Sequence, residues 1–188
     1  MFKDIVKANR SYRRFYEDEK VSEETLREFV DLVRFSPSGT NKQPLKFIIS
    51  CEEDKNAKVF ECLKWAGGLK DWDGPEDGEK PTGFIIIMED TNIGLVGGVD
   101  HGIAAQTILL GSVEKGLGGC MFGAIDRIKL RENLNIAEHL KILLVVAIGK
   151  PKEIISLDPV KDDDIKYWRD ENQVHHVPKR SLDEIIIK

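Results

Sequence analysis

The stretch VDHGIAAQTILLGSVEKGLGGCMFG, residues 99–123, decides the fold of this chain. Over 99–115, Ile103, Ala104, Ala105, Ile108, Leu109, Leu110 and Val113 put apolar side chains on almost every side of a helix. Such a helix is buried on most sides, either at the centre of a domain or at a subunit interface. Gly116-Leu117-Gly118-Gly119-Cys120-Met121-Phe122-Gly123 then ends it and leads into a strand-like segment. The glycines have two readings. They form a helix C-cap and turn, or they let a backbone lie close against a flat ligand. They are not a P-loop, because no Gly-Lys-Ser/Thr follows, nor a dinucleotide fingerprint, because they follow a helix.

Working outward, strands and helices alternate on both sides. Toward the N-terminus, 84–88 reads as a buried strand and 67–83 as an exposed Gly-, Asp- and Pro-rich loop with Trp65 before it and Trp72 inside it. Val59, Phe60, Leu63 and Ala66 mark a helix face, and 45–50 a strand. The loop 36–44 carries two prolines and many small polar residues. Before it, Leu26, Phe29, Val30 and Val33 recur at helical spacing behind a Ser22 cap with Glu23 and Glu24 in the first turn. Pro37 requires that helix to stop by Ser36. Phe2, Ile5 and Val6 indicate a short first helix. Toward the C-terminus, 128–134 is a short helix and 143–148 the clearest strand, closed by Gly149-Lys150-Pro151. The charged segment 152–188 reads as an extended arm, and its apolar 182–187 run favours packing over an exposed triple Ile. Interleaved helices and strands with no repeat make this one α+β (mixed α/β) domain over 1–188.

The bulk numbers agree. The 188 residues, 41% hydrophobic and 32% charged, suit one globular domain. A net charge of -5 does not invite nucleic acid or an anionic membrane, so any anion site must be a local cluster. The longest apolar run, 142–148, is too short to span a bilayer. Cys51, Cys62 and Cys120 form no disulfide framework or zinc spacing, and a reducing cytoplasm is the simplest reading. The charged opening 1–7 reads against a signal peptide.

Four segments can carry chemistry. In Asn9-Arg10-Ser11-Tyr12-Arg13-Arg14-Phe15, Arg10 and Arg13 can face one way and hold an anion, with Ser11 as a neutral donor. The alternative is a basic helix end that complements its own dipole. The loop Ser38-Gly39-Thr40-Asn41-Lys42-Gln43 offers hydroxyl, amide and backbone groups, which suit a heterocycle or sugar. The Gly118 turn is the third, and Pro178-Lys179-Arg180-Ser181 the fourth. Other residues favour plainer readings. Cys120 is a small packing residue before it is a nucleophile. His175-His176 are tail contacts rather than metal ligands, and Asp162 to Asp164 a solvated charge run, so no metal is expected. Trp65, Tyr167 and Trp168 are core or substrate-entrance residues, and Trp72 leans to the entrance.

Together these segments resemble one family. The chain is similar to FMN-dependent nitroreductase-fold proteins over essentially its whole length. The matching pieces are Arg-Ser-x-Arg-x-Phe (Arg10, Ser11, Arg13, Phe15), Ser-Pro-Ser-x-x-Asn-x-Gln-Pro (36–44), Asp-x-Gly-x-Ala-x-Gln (Asp100 to Gln106), Gly-Leu-Gly-Gly and the basic tail. The resemblance implies a central mixed sheet flanked by helices, in a domain-swapped homodimer with FMN at the subunit interface. It implies that Arg10 and Ser11 contact the flavin phosphate and Arg13 the ribityl chain and pyrimidine edge. Pro37, Ser38, Gly39 and Asn41 would come from the opposite subunit. Gly118, Gly119 and Cys120 would lie against the isoalloxazine, and Lys179 and Arg180 would close on the phosphate. Many members carry a basic pair before the Ser; Asn9 takes the first of those places here.

The implied reaction is ping-pong: NAD(P)H reduces the flavin and leaves, and an electron-poor acceptor such as a nitroaromatic or quinone is reduced in turn. Arg13 is the candidate catalytic residue, a cation at the pyrimidine edge. The same fold can host reductive dehalogenation or flavin fragmentation. A third reading is a protein that stores or senses FMN without turnover.

Overall fold

The computed structural model describes residues 1–69, 72–94 and 98–187. The chain opens with α1 (Phe2–Ala8) and a two-residue strand, β1 (Phe15–Tyr16). In α2 (Glu23–Arg34) the Ser22 side chain accepts the Thr25 N–H, satisfying a donor that the helix itself leaves free. The helix ends short of the Ser36-Pro37 pair. Its Leu26 and Phe29 are fully buried, each contributing roughly 1.5–3 kcal/mol. Then come β2 (Leu45–Ser50), α3 (Glu53–Phe60), β3 (Gly83–Asp90), α4 (Asp100–Glu114), β4 (Gly118–Phe122), α5 (Arg127–Leu134) and the long β5 (Leu140–Pro151).

β5 is the spine of the main sheet. One edge pairs β3, which in turn pairs β2; the other pairs β4 and then β1. Those ladders are antiparallel, and a parallel bridge between Ser11 and Gly119 adds the other sense. β3 is buried on both faces. Phe84, Ile86 and Met88 enter one core with Cys120, Phe122, Leu130 and Val145, while Ile85 and Ile87 enter a second with Phe29, Ile108, Val146 and Ile148. A period of two sorts the side chains, and burial on both faces makes the sequence read as one apolar run. α3 and α5 cover the first core, α2 and α4 the second. α4 packs within its own chain through Ala104, Ala105, Ile108 and Leu109; where it meets α2, a Cβ on Gly111 would lie 2.6 Å from Leu32 Cδ1. Among the described residues no helix is long and apolar enough to cross a membrane.

Three expectations change. α3 begins at Glu53 and stops at Phe60, so Leu63 and Ala66 lie beyond it; Leu63 instead bridges Ile125. Segment 67–83 is not simply exposed: Pro81, Thr82 and Gly83 are buried, Trp65 is core, and Trp72 packs edge-on to it at 6.4 Å. Lys70 and Asp71 of that segment lie outside the described residues. The arm is also more ordered than its weak periodicity implies. β6 (Ile155–Pro159), β7 (Trp168–Arg169) and β8 (His175–Lys179) form a second sheet, in the order β6-β8-β7, followed by α6 (Leu182–Ile185). Ile185, Ile186 and Ile187 are exposed in the single chain, so the packing expected of that run is not found within it.

The first strand is pinned by a charge cluster. The Glu79 carboxylate receives Arg14 Nε at 2.5 Å and Nη2 at 2.7 Å, with Lys152 at 2.9 Å. The Arg14 hydrogen bonds, with Lys152 behind them, hold the Glu79 pKa at about 2. A depressed carboxyl stabilises the fold above its ordinary pKa and loses that contribution as pH falls toward the folded value. The Glu79→Gln penalty in urea midpoints is therefore expected to be about 2–3 kcal/mol at pH 5 and to shrink toward pH 2. A penalty that stays constant across that range would contradict this account.

Candidate functional site

The chain leaves α1 at Asn9, a buried C-cap residue, and then runs beside β4. Ser11 bridges Gly119, and the Tyr12 N–H donates to the Gly119 carbonyl at 3.0 Å. The basic opening and the glycine turn, more than a hundred residues apart in sequence, thus form one surface. Arg10 donates from Nη2 to the Val6 carbonyl at 3.1 Å, while its buried Nε has no hydrogen-bond partner. The Ser11 residue is exposed. Cys120 is buried behind it, and burial pushes its thiol pKa up, which suits packing and not nucleophilic attack.

The chain itself already requires two of these glycines. A Cβ on Gly118 would meet Tyr12 Cδ2 at 2.5 Å and Pro151 Cγ at 2.8 Å. One on Gly119 would overlap the Ala147 carbonyl oxygen. Close approach is required, but by the chain's own ring and backbone.

Arg13 is held at three points. Its N–H donates to Glu153 Oε2 at 3.0 Å, its Nη1 donates to the Ser11 carbonyl at 3.2 Å, and its guanidinium lies 5.3 Å from the Tyr167 ring centre. Glu153 is buried and also receives Arg169 Nη2 at 2.6 Å and Nε at 3.2 Å. The buried His175 has Nδ1 at 3.7 Å from the same carboxylate, without a hydrogen-bond partner, and desolvation lowers its pKa. Sequence reading missed Glu153, because one Glu in a charged tail carries no local pattern. It treated the two histidines alike, whereas strand alternation separates them: His175 faces in, and His176 lies outward against Trp168 with Nδ1 at 2.6 Å from Asp158. The Asp158 contact raises the His176 pKa.

The 36–44 loop is built around Asp100, the buried first residue of α4. Ser38 Oγ donates to Asp100 Oδ2 at 2.6 Å, and the Gly39 N–H donates to Oδ1 at 3.2 Å. Ser38 Oγ accepts the Gln43 N–H at 3.0 Å, closing the loop. Pro37 and Asn41 are exposed, and Pro37 lines a cavity of about 270 Å³ with Val33, Phe47 and Ala104. This loop and the Gly118 surface are at opposite ends of α4, a 15-residue helix. At ~1.5 Å per residue they are ~22 Å apart along its axis.

Lys179 and Arg180 are likewise distant from Arg13. β8 starts at His175, next to Glu153, and five extended residues at ~3.3 Å each carry the chain ~16 Å away. Arg180 there donates to Asp163 at 2.9 Å and Glu184 at 3.2 Å. One chain therefore brings together Arg10, Ser11, Arg13, Gly118, Gly119 and Cys120. It leaves Pro37, Ser38, Gly39, Asn41, Lys179 and Arg180 elsewhere.

A family model described as "Nitroreductase family" matches residues 6–68 and 87–150. The chain is 26% identical to the FMN reductase [NAD(P)H] of Bacillus subtilis (strain 168), over 80% of this chain and 67% of that protein. In structure it resembles an FMN-dependent nitroreductase from Clostridium difficile R20291, with TM-score 0.65, 23% identity, and 79% of this chain and 87% of that one covered. It also resembles a nitroreductase family protein from Streptococcus pneumoniae TIGR4, with TM-score 0.72, 18% identity and 100% of both chains covered.

Proposed function

The chain belongs to the nitroreductase family, and from that premise we propose that it is an FMN-dependent oxidoreductase that passes reducing equivalents from NAD(P)H to an electron-poor organic acceptor such as a nitroaromatic or quinone. The observation that carries this reading is the surface made by Ser11 and Gly119. It sets two arginines beside a glycine edge and leaves a buried guanidinium nitrogen of Arg10 without a partner. An unpaired buried donor on a cation fits an anionic oxygen, and the phosphate of FMN supplies one.

In this reading Arg10 and Ser11 hold the phosphate and Arg13 faces the pyrimidine edge. Gly118, Gly119 and Cys120 form the wall beside the ring. Pro37, Ser38, Gly39 and Asn41, and Lys179 and Arg180 at the phosphate, come from a second copy of the chain. The ~22 Å and ~16 Å separations within one chain support that division. So do the exposed Phe2, Phe35 and Ile187, apolar side chains that a second copy would cover.

Bound flavin accepts and returns reducing equivalents; the protein supplies position and field. Glu153 and the Ser11 carbonyl hold Arg13 in place, so its charge needs no rearrangement when negative charge develops beside it. Arg13→Ala is expected to weaken FMN binding or slow flavin reduction by about 10²-fold, an oxyanion-type loss. Flavin content after purification and stopped-flow bleaching by NADH or NADPH measure both. A variant with unchanged content and unchanged rate would sink the assignment. A purified protein that contains no flavin and takes none up would end the whole reading.

A further inference from the structure

Three aromatic residues remain outside the flavin reading. Trp72, Tyr167 and Trp168 line a depression of about 490 Å³ with Gly68 and Arg169. Each ring is held by a neighbour. Arg169 lies 4.3 Å from the Trp72 ring centre while the buried Glu153 holds its Nη2 at 2.6 Å. The Tyr167 hydroxyl accepts the Gly68 N–H at 3.0 Å, and a Cβ on Gly68 would lie 2.7 Å from that ring. Trp168 stacks on His176 at 4.0 Å and 6°, and Asp158 fixes that imidazole at 2.6 Å. Ring faces held in this way lose little freedom when a planar molecule arrives.

Beside Tyr167 and Trp72 the guanidiniums outnumber the carboxylates, while Asp158 and Asp170 lie on the His176 side, behind Trp168. Arg13 and Arg169 share a single carboxylate, Glu153. Glu153 occupies Nε and Nη2 of Arg169, and Nη1 donates no hydrogen bond among the described residues. The Tyr167 ring that walls the depression is also the one 5.3 Å from the Arg13 guanidinium, so the depression adjoins the surface assigned to the flavin.

We propose that this depression is the acceptor site and that it selects planar aromatic molecules carrying a carboxylate, the ring against Trp72, Tyr167 and Trp168 and the carboxylate on Arg169. The proposal rests on the flavin reading only for its role, not for its ligand. Isothermal titration calorimetry of the flavin-loaded protein with 4-nitrobenzoate and with nitrobenzene tests it, together with the KM of each as acceptor. The carboxylate is expected to bind about tenfold more tightly, the worth of one charge-assisted contact. Trp168→Ala, at an exposed position, is expected to weaken both ligands by about fivefold to tenfold. Arg169→Lys keeps a cation beside Glu153 but loses the guanidinium fork, and is expected to erase the preference between the probes, through KM and not kcat.

Equal affinity for the two probes, or variants that bind both as the parent does, would overturn the proposal. Calorimetric binding with the expected preference but no reduction of either probe would overturn the acceptor role, while bleaching of the bound flavin by NADH or NADPH, measured separately, decides the flavin reading. Reduction with KM values indifferent to both substitutions would overturn the site and leave the flavin reading in place.

Discussion

Gly119→Ala is expected to destabilise the protein by about 3 kcal/mol or more and to lower its melting temperature by roughly 6–12 °C. The added methyl would overlap the Ala147 carbonyl oxygen and lie 2.8 Å from Leu109 Cδ2. Ala147 belongs to β5, which pairs with β3 on one side and β4 on the other, so the carbonyl cannot move without breaking a ladder. The same shift would pull Gly119 away from Ser11 and Tyr12. The substitution should therefore lower flavin content as well as stability. Gly67→Ala is the control: nothing lies within 4 Å of its added Cβ, and the change should stay within about 0.5 kcal/mol. Thermal melts of the two variants decide the matter, and an unchanged melting temperature for Gly119→Ala would refute the packing argument.

Glu153→Ala carries the second large effect, about 3–5 kcal/mol. Its carboxylate serves the Arg13 N–H and the Arg169 guanidinium, whose side chain is only 10% exposed. Removing it strands one largely buried cation and one backbone donor beside the unpartnered His175 Nδ1. Most of the penalty would be the cost of the uncompensated charge, not the net worth of the ion pair. Adding Arg169→Met should accordingly recover part of the loss, a coupling of about 1 kcal/mol or more. Urea unfolding of the two single variants and the double variant measures it. Strict additivity would mean that Glu153 does not act through Arg169.

Much of this was legible along the chain because its causes are local. The apolar 84–88 run has one buried outcome. The Ser22 cap and Pro37 bound α2 from their own chemistry, and the all-round apolar pattern from Ile103 to Val113 requires a covered helix. Less legible was anything decided by distant partners. Leu63 and Ala66 share the period of α3, yet Leu63 takes its partner from Ile125. Trp72 sits in a polar loop but packs on Trp65. Glu153 has no distinguishing neighbours in sequence.

By itself, then, the sequence determined most elements before residue 152, the family resemblance and the individual candidates, because propensity, capping and spacing act within a few residues. The tertiary structure decided which candidates meet. Ser11 reaches Gly119 through a sheet bridge, Arg13 is anchored by Glu153 across 140 residues, and α4 holds the Ser38 loop ~22 Å from both. Those relations are set by long-range pairing and by the rigid length of a helix, which no local pattern encodes.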